Sequence, residues 1–300
     1  MVITKKHIRL TGYGPSGLGV SPRGTPWIHG TLNNGGLTQI TTADNYTLEG
    51  LLIENAGTNG TGVSVGASSA RGKMRAVHAL NCAKDGLAFT TNQVGQSLIE
   101  QCGAKGCGNG LAFRSGNGTP GAAPNAVMVR SGRYENNGVN IYAQNRDPMA
   151  GGNALAISGV SLGGSGTGIP VEGWAGLTID GQCYFELGET ANAPFGKIRG
   201  VPGQPGDIEN NWGHDITIRE CFFHIFSAVA GWTAGVAKHI DADSCFNLHV
   251  DDIQHVGDRA NISTDDPVYR LGTNTKGCRL FIPHVSGPSM GSKETTSARS

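Results

Sequence analysis

The sequence predicts an all-β solenoid, a single stack of short strands wound into coils, and three observations predict it. Four phrases recur: Gly62-Val63-Ser64-Val65, Gly86-Leu87-Ala88-Phe89, Gly110-Leu111-Ala112-Phe113 and Gly138-Val139-Asn140-Ile141, starting 24, 24 and 28 residues apart. A fixed period of roughly 20–50 residues marks a repeat array. Each phrase sets a turn glycine before an apolar, small or polar, apolar run, the period of a strand with one buried face. Third, glycine fills 48 of 300 positions, while charged residues make up 15% of the chain against a usual ~25%. Coils explain both, because every coil needs sharp corners and corners need residues that tolerate positive φ. One coil cannot bury its own apolar face, so coils must stack.

Taken in order, His7-Ile8-Arg9-Leu10-Thr11 is a first strand, followed by Gly12-Tyr13-Gly14-Pro15-Ser16-Gly17. That string fits the dinucleotide-binding pattern, but the pattern needs a helix, and Pro15, Pro22 and Pro26 forbid one. Trp27-Ile28-His29, Leu37 to Thr41 and Tyr46-Thr47-Leu48 lead into the repeats. Polar corners, Asn59-Gly60, Lys84-Asp85, Gly108-Asn109 and Asn136-Asn137, precede the four phrases. Residues 116–125 and 145–153 read as loops leaving the stack. Leu155 to Ser158 and Gly176 to Asp180 resume strands, and 189–213 reads as the longest insertion.

Four of the seven cysteines, Cys183, Cys221, Cys245 and Cys278, open later strand-like runs at what reads as one equivalent place. A stack of small apolar thiols and a metal or redox site both fit; the lack of a Cys-x-x-Cys pair favours the first. The phase slips at Cys245, where Phe246, Leu248 and Val250 form the inward set and a bulge or corner is required. After Val285 the composition turns to Gly, Ser, Thr and Lys. The division expected is one solenoid domain over 1–285 and a tail over 286–300.

Composition also excludes. Lys plus Arg equals Asp plus Glu at 23 each, which leaves no electrostatic case for nucleic acid or an anionic membrane. No run reaches the 18 or more apolar residues of a spanning helix. The opening Met-Val-Ile-Thr-Lys-Lys-His reads as a strand, not a signal peptide, so synthesis in a cytoplasm, or a mature or trimmed form, is expected. No cofactor and no metal are called for.

Ile3-Thr4-Lys5-Lys6-His7-Ile8-Arg9-Leu10-Thr11-Gly12, Leu51-Leu52-Ile53-Glu54-Asn55 and the Gly-x-x-[Val/Phe/Ile] coils together resemble the pectate-lyase-like superfamily over residues 3–285. The resemblance implies a single-stranded right-handed parallel β-helix, here of about eleven coils with loop insertions. That superfamily includes polysaccharide lyases, glycoside hydrolases, and bacteriophage tailspikes and tail fibres. It implies, for the tailspike branch, a homotrimer made in the host cytoplasm, partnered by other virion proteins, that binds or cleaves surface polysaccharide. An extracellular lyase or hydrolase and a purely structural rod remain as alternatives.

Chemistry has one dense polar stretch to occupy. In His239-Ile240-Asp241-Ala242-Asp243, alternation turns Ile240 and Ala242 inward and His239, Asp241 and Asp243 outward; Asn247, His249 and Asp251 are outward on the following strand. A carboxylate-lined groove with Asp241, Asp243 and Asp251 as catalytic candidates, and His239 and His249 as substrate ligands, follows if both strands face one cleft. Simple solvation of an outer face, or a metal site, accounts for the same pattern. Trp174, Trp212 and Trp232 lie in glycine-rich segments and are candidate sugar-stacking platforms. Gly213-His214-Asp215 and Ser263-Thr264-Asp265-Asp266 come in the wrong order for a polygalacturonase-type hydrolase. Gly287-Pro288-Ser289-Met290-Gly291 lacks the helix and downstream His of a nucleophile elbow. The expected function is recognition of surface polysaccharide by a virion-associated rod, with depolymerisation open.

Overall fold

The computed structural model describes residues 1–12, 26–41, 43–66, 69–90, 95–114, 124–144, 152–165, 168–187, 196–200, 213–225, 240–257, 269–272 and 275–281. These residues form strands and turns, with no helix among them, and the strand pairings between them are parallel. A ten-stranded sheet, face A, runs from Val2–Ile3 to Tyr269–Leu271. A fifteen-stranded sheet forms the rest of each rung. It folds along its length into two planes, B and C, because strands such as Thr47–Asn55 and Gly213–Ile225 pass through a corner without losing their pairing. The described chain is therefore a parallel β-helix of ten rungs, where the spacing predicts about eleven.

Two columns of left-handed residues make the bends. His7, Asn45, Arg71, Gln96, Ala126, Ala154, Gly176, Asp215, Asn247 and Gly277 all have φ between 50° and 64° and mark the entry to face B in ten successive rungs. Gly50, Ala76, Gln101, Ser131, Gly159, Gln182 and Glu220 do the same between B and C. Left-handed backbone costs a non-glycine residue about 1 kcal/mol, and a hydrogen bond to the next rung offsets it. Asn45 N–H donates to Ala70 O at 3.0 Å, Arg71 N–H to Gly95 O at 2.8 Å and Gln96 N–H to Asn125 O at 3.0 Å.

Inward residues of the three faces pack into one core, in which Phe89 and Phe113 stack at 5.4 Å and Phe185 and Phe223 at 4.8 Å. Three of the phrase glycines, Gly62, Gly86 and Gly110, lie inside face A strands, not in turns; Gly138 falls in the bend just before its strand. A Cβ on Gly62 would come 2.6 Å from Gly86 O, and one on Gly86 2.7 Å from Gly110 O. Close rung-to-rung approach, rather than positive φ, requires them.

Three sequence expectations are corrected here. Ile141, not Val139, pairs with Leu111, so the fourth phrase is shifted by two residues, and Asn140 takes the glycine's place while accepting a hydrogen bond from buried Asn137 at 3.0 Å. Phe246 is outward and 38% exposed, because the left-handed Asn247 reverses the alternation between Cys245 and Leu248. The late cysteines also do not share one position: Cys183 and Cys221 follow the B–C corner in register, whereas Cys245 and Cys278 flank the entry corner of face B. All seven are free and six are buried, as a stack of apolar thiols requires.

Candidate functional site

The outer side of face A carries a compact polar strip, and most of it comes from strands separated by long stretches of chain. Strand Val139–Gln144 buries Ile141 and Ala143 and turns Tyr142 outward. Gly196–Arg199 buries Ile198 between Val171 and Ala242 of its neighbours, leaving Lys197 and Arg199 outside. Ile240–Ala242 does the same for Asp241. Registers align Tyr142, Pro170, Lys197 and Asp241 in one column, and Arg114, Gln144, Glu172 and Arg199 in the next. Each step along a column is about 4.8 Å.

Most of these groups are held. Arg199 Nη2 donates to Asp241 Oδ2 at 2.7 Å, and Nη1 donates to the carbonyls of Asp241 and Ile198, both at 2.8 Å. Gln144 Nε2 donates to Glu172 Oε2 at 2.7 Å. Arg114 pairs with the buried Asp85 at 2.5 Å, Asn109 satisfies the other Asp85 oxygen at 2.8 Å, and the guanidinium lies 5.1 Å from the centre of the Tyr142 ring. That arrangement is a cation–π contact, and it fixes the phenol. Lys197 differs: it is exposed and joins no ion pair among the described residues. The strip thus offers one available ammonium, a braced guanidinium and a positioned phenol on a rigid sheet.

The carboxylates named from the sequence do not share a cleft. Asp241 is on face A, but its charge is committed to Arg199. Asp243 ends that strand, where its Oδ1 accepts a hydrogen bond from Ser244 N–H at 2.8 Å and shapes the turn into face B. Asp251 is on the outer side of face B. It extends a column in which Glu49, Arg75, Glu100, Arg130, Ser158, Asp180, Arg219 and Asp251 succeed one another in register. Arg75 is 3.8 Å from Glu49 and 3.7 Å from Glu100, and Arg219 is 3.3 Å from Asp180. A near-alternating charge ladder accounts for Asp251 without catalysis. His249 is on that face too, its Nε2 3.9 Å from Asp251 and its ring packed on Phe281.

Trp174 is fully buried, with its ring edge-on to Phe113 at 6.2 Å. It begins strand Trp174–Asp180 and fills the core, so it is no sugar platform. His239, Trp212 and Trp232 lie outside the described residues. Among the described residues no group of three metal-ligating side chains converges.

Sequence reasoning missed Tyr142, Glu172, Lys197 and Arg199. The stretch 189–213 read as an insertion, yet it contains the strand Gly196–Arg199. With one inward apolar residue, Ile198, that strand has no periodicity to detect. The signal available was Lys197-Ile198-Arg199 itself, a polar–apolar–polar triplet bounded by glycines.

No protein-family model matches the sequence, and no curated protein matches it. Solved structures do match in fold. An alginate lyase from Paenibacillus sp. str. FPU-7 superposes with a TM-score of 0.58 at 12% identity, covering 84% of this chain and 80% of that one. The A-module of a mannuronan C-5 epimerase from Azotobacter vinelandii gives 0.53 at 14% identity, covering 83% and 74%. The ORF18 protein of Geobacillus virus E2 gives 0.52 at 16% identity, covering 93% of this chain and 50% of that one. These neighbours are right-handed parallel β-helices, and the chain has that fold.

Proposed function

We propose that the chain is the glycan-recognising β-helix of a virion-associated tailspike or tail-fibre-like protein, and that it holds an acidic surface polysaccharide along the outer side of face A. The observation that carries this reading is Lys197: an exposed ammonium with no ion-pair partner among the described residues, on a strip where the other cations, Arg114 and Arg199, are neutralised by Asp85 and Asp241. An extended polymer running along the helix axis meets Tyr142 about 10 Å from Lys197, two rungs apart. The phenol gives a sugar ring an amphipathic surface and the ammonium a partner for a carboxylate. Fold likeness to the virus protein and to polysaccharide-acting enzymes is consistent with this, as analogy only. We further propose assembly into a homotrimer through face C, where Tyr184 and Phe222 are outward and in register; Phe226 lies outside the described residues. Light scattering that finds only monomer at micromolar concentration removes the trimer.

Titration calorimetry with uronate-containing and neutral oligosaccharides tests the binding reading. Saturable, salt-sensitive binding of the acidic set, weakened about tenfold in Lys197→Ala, supports it; equal binding of neutral glycans sinks it. Depolymerisation is a second reading, favoured by one arrangement: Lys197 and Tyr142 are the residue types of a base and a proton donor for β-elimination. Formation of an unsaturated uronate product, followed by ultraviolet absorbance, distinguishes an enzyme from a binder. Hydrolysis is less well served, because Glu172 and Asp241 already engage Gln144 and Arg199.

A further inference from the structure

The corner between faces A and B carries a second polar group, on the eighth and ninth rungs, that the strip of face A does not use. Gly213 resumes the eighth rung where Arg199 leaves it: a Cβ on Gly213 would come 3.3 Å from Arg199 O. His214 follows, outward and half-buried, and Asp215 makes the corner with φ at 54°. On the ninth rung Phe246 stands beside His214 in register, and Asn247 makes the equivalent corner with φ at 55°.

Three of these side chains are joined in a row. Asn247 Nδ2 donates to Asp215 Oδ1 at 2.6 Å, and His214 Nδ1 lies 2.9 Å from Asp215 Oδ2. Asn247 is itself fixed, because its backbone N–H donates to Lys276 O on the tenth rung at 2.9 Å. The hydrogen bonds from Asn247 and from His214 favour the ionised carboxyl and hold Asp215 below the usual carboxylate range. A carboxylate only accepts, so the ring proton sits on Nδ1 and the neutral imidazole keeps its lone pair at Nε2. Among the described residues Nε2 has no hydrogen-bond partner. Phe246 supplies an apolar surface next to it. The ring is 38% exposed and passes over Gly277, where a Cβ would come 3.4 Å from Cε2. A glycine there seats the ring without a side chain that would cover it.

We propose that His214 and Phe246 form a second sugar subsite, which takes a further pyranose of the acidic polysaccharide held on face A. The C–H face of that sugar stacks on Phe246, and one of its hydroxyls donates to His214 Nε2. Asp215 and Asn247 are positioning residues: they touch no sugar, and they keep the acceptor nitrogen of His214 on the outer side. This subsite rests on the glycan reading of face A and names the route the polymer takes beyond Lys197. Phe246 is one rung past Lys197 and a few residues across the corner, about 10–15 Å away. A polymer that follows the helix axis from Tyr142 to Lys197 reaches it by bending over the corner.

Calorimetry on the whole protein with an oligomannuronate disaccharide and hexasaccharide tests the subsite. Wild type is expected to bind the hexasaccharide about tenfold more tightly than the disaccharide. Phe246→Ala and His214→Ala are each expected to remove most of that gain and to leave disaccharide affinity unchanged, whereas Lys197→Ala weakens both lengths alike. Asp215→Asn is expected to lose part of the gain and to shift the His214 ring nitrogens, read by ¹⁵N resonance, from the Nδ1–H tautomer toward a mixture. Unchanged ¹⁵N shifts in Asp215→Asn overturn the positioning role. No length gain in wild type, or an unaltered gain in either Phe246→Ala or His214→Ala, overturns the subsite and leaves the Lys197 strip standing. Wild type that binds neither length overturns the strip and the subsite together. If Phe246→Ala loses the native circular-dichroism spectrum, Phe246→Leu, which keeps apolar bulk over Gly277 without an aromatic face, decides by the same measure.

Discussion

Arg199 and Asp241 stand on neighbouring rungs of face A and are joined through two different oxygens, the carboxylate Oδ2 at 2.7 Å and Asp241's own carbonyl at 2.8 Å. Both side chains are half-buried, so the pair is a brace for the strip. Asp241→Asn removes the charge and leaves the guanidinium under-compensated, at an expected cost of about 1–3 kcal/mol in urea unfolding. Binding of an acidic glycan is expected to hold or strengthen, because the released Arg199 guanidinium adds a second uncompensated cation beside Lys197. Full stability together with abolished cleavage would instead make Asp241 a catalytic carboxylate.

Lys197→Ala acts in the opposite way. The ammonium is exposed and supports no packing, so unfolding changes by less than about 0.5 kcal/mol. Affinity for an acidic oligosaccharide drops about tenfold, or about 1.4 kcal/mol, and the salt dependence of binding flattens. Calorimetry at two ionic strengths checks both.

Acid sensitivity is expected from His78. It is 8% exposed, on the outer side of face C, with Nδ1 unpaired among the described residues, and burial pulls its imidazole down to about 4. The unfolded chain takes up this proton near pH 6.5 and the folded chain only near pH 4. The neutral ring's contribution is therefore intact above pH 6.5 and is lost as pH falls toward 4, by about 3 kcal/mol in all. His78→Gln flattens that limb of the stability–pH curve; an unchanged curve shows that the ring is not buried in solution.

Trp174→Ala is a core truncation. It is expected to cost about 3–5 kcal/mol and to leave glycan affinity per folded molecule unchanged. A selective loss of binding with stability intact would return Trp174 to the surface.

Asp251→Asn is expected to change unfolding by less than about 0.5 kcal/mol and to leave any glycan cleavage in place, because the side chain belongs to the charge ladder of face B. Loss of cleavage in this variant alone would move the active site to that face.

The sequence made the solenoid legible because rung spacing is written locally: Leu87 and Leu111 are 24 residues apart and lie side by side. It could not reveal the corners. Arg71, Gln96 and Glu220 adopt left-handed backbone that their side chains do not favour, and the hydrogen bonds that permit it come from another rung. The site was illegible for a related reason. Arg199 finds Asp241 at a separation of 42 residues, and Tyr142, Glu172 and Lys197 become neighbours only through strand register. Density of Asp and His along the chain pointed instead to 239–266, whose described part, 240–257, passes from face A into face B, so that Asp241 and Asp251 end on different faces.

The charge ladder of face B carries information about order as well as energy. Its signs have a period of two rungs: Glu49, Arg75, Glu100, Arg130. If the folding chain looped out one coil and paired a rung with the next but one, the apolar positions would still match. Glu49 would then meet Glu100, and Arg75 would meet Arg130, each contact unfavourable by a few tenths of a kcal/mol. A solenoid whose coils are otherwise interchangeable thereby gains a parity check over its first rungs: skipping a single coil there sets like charges against each other, whereas past Arg130 the alternation breaks at Ser158 and the check lapses.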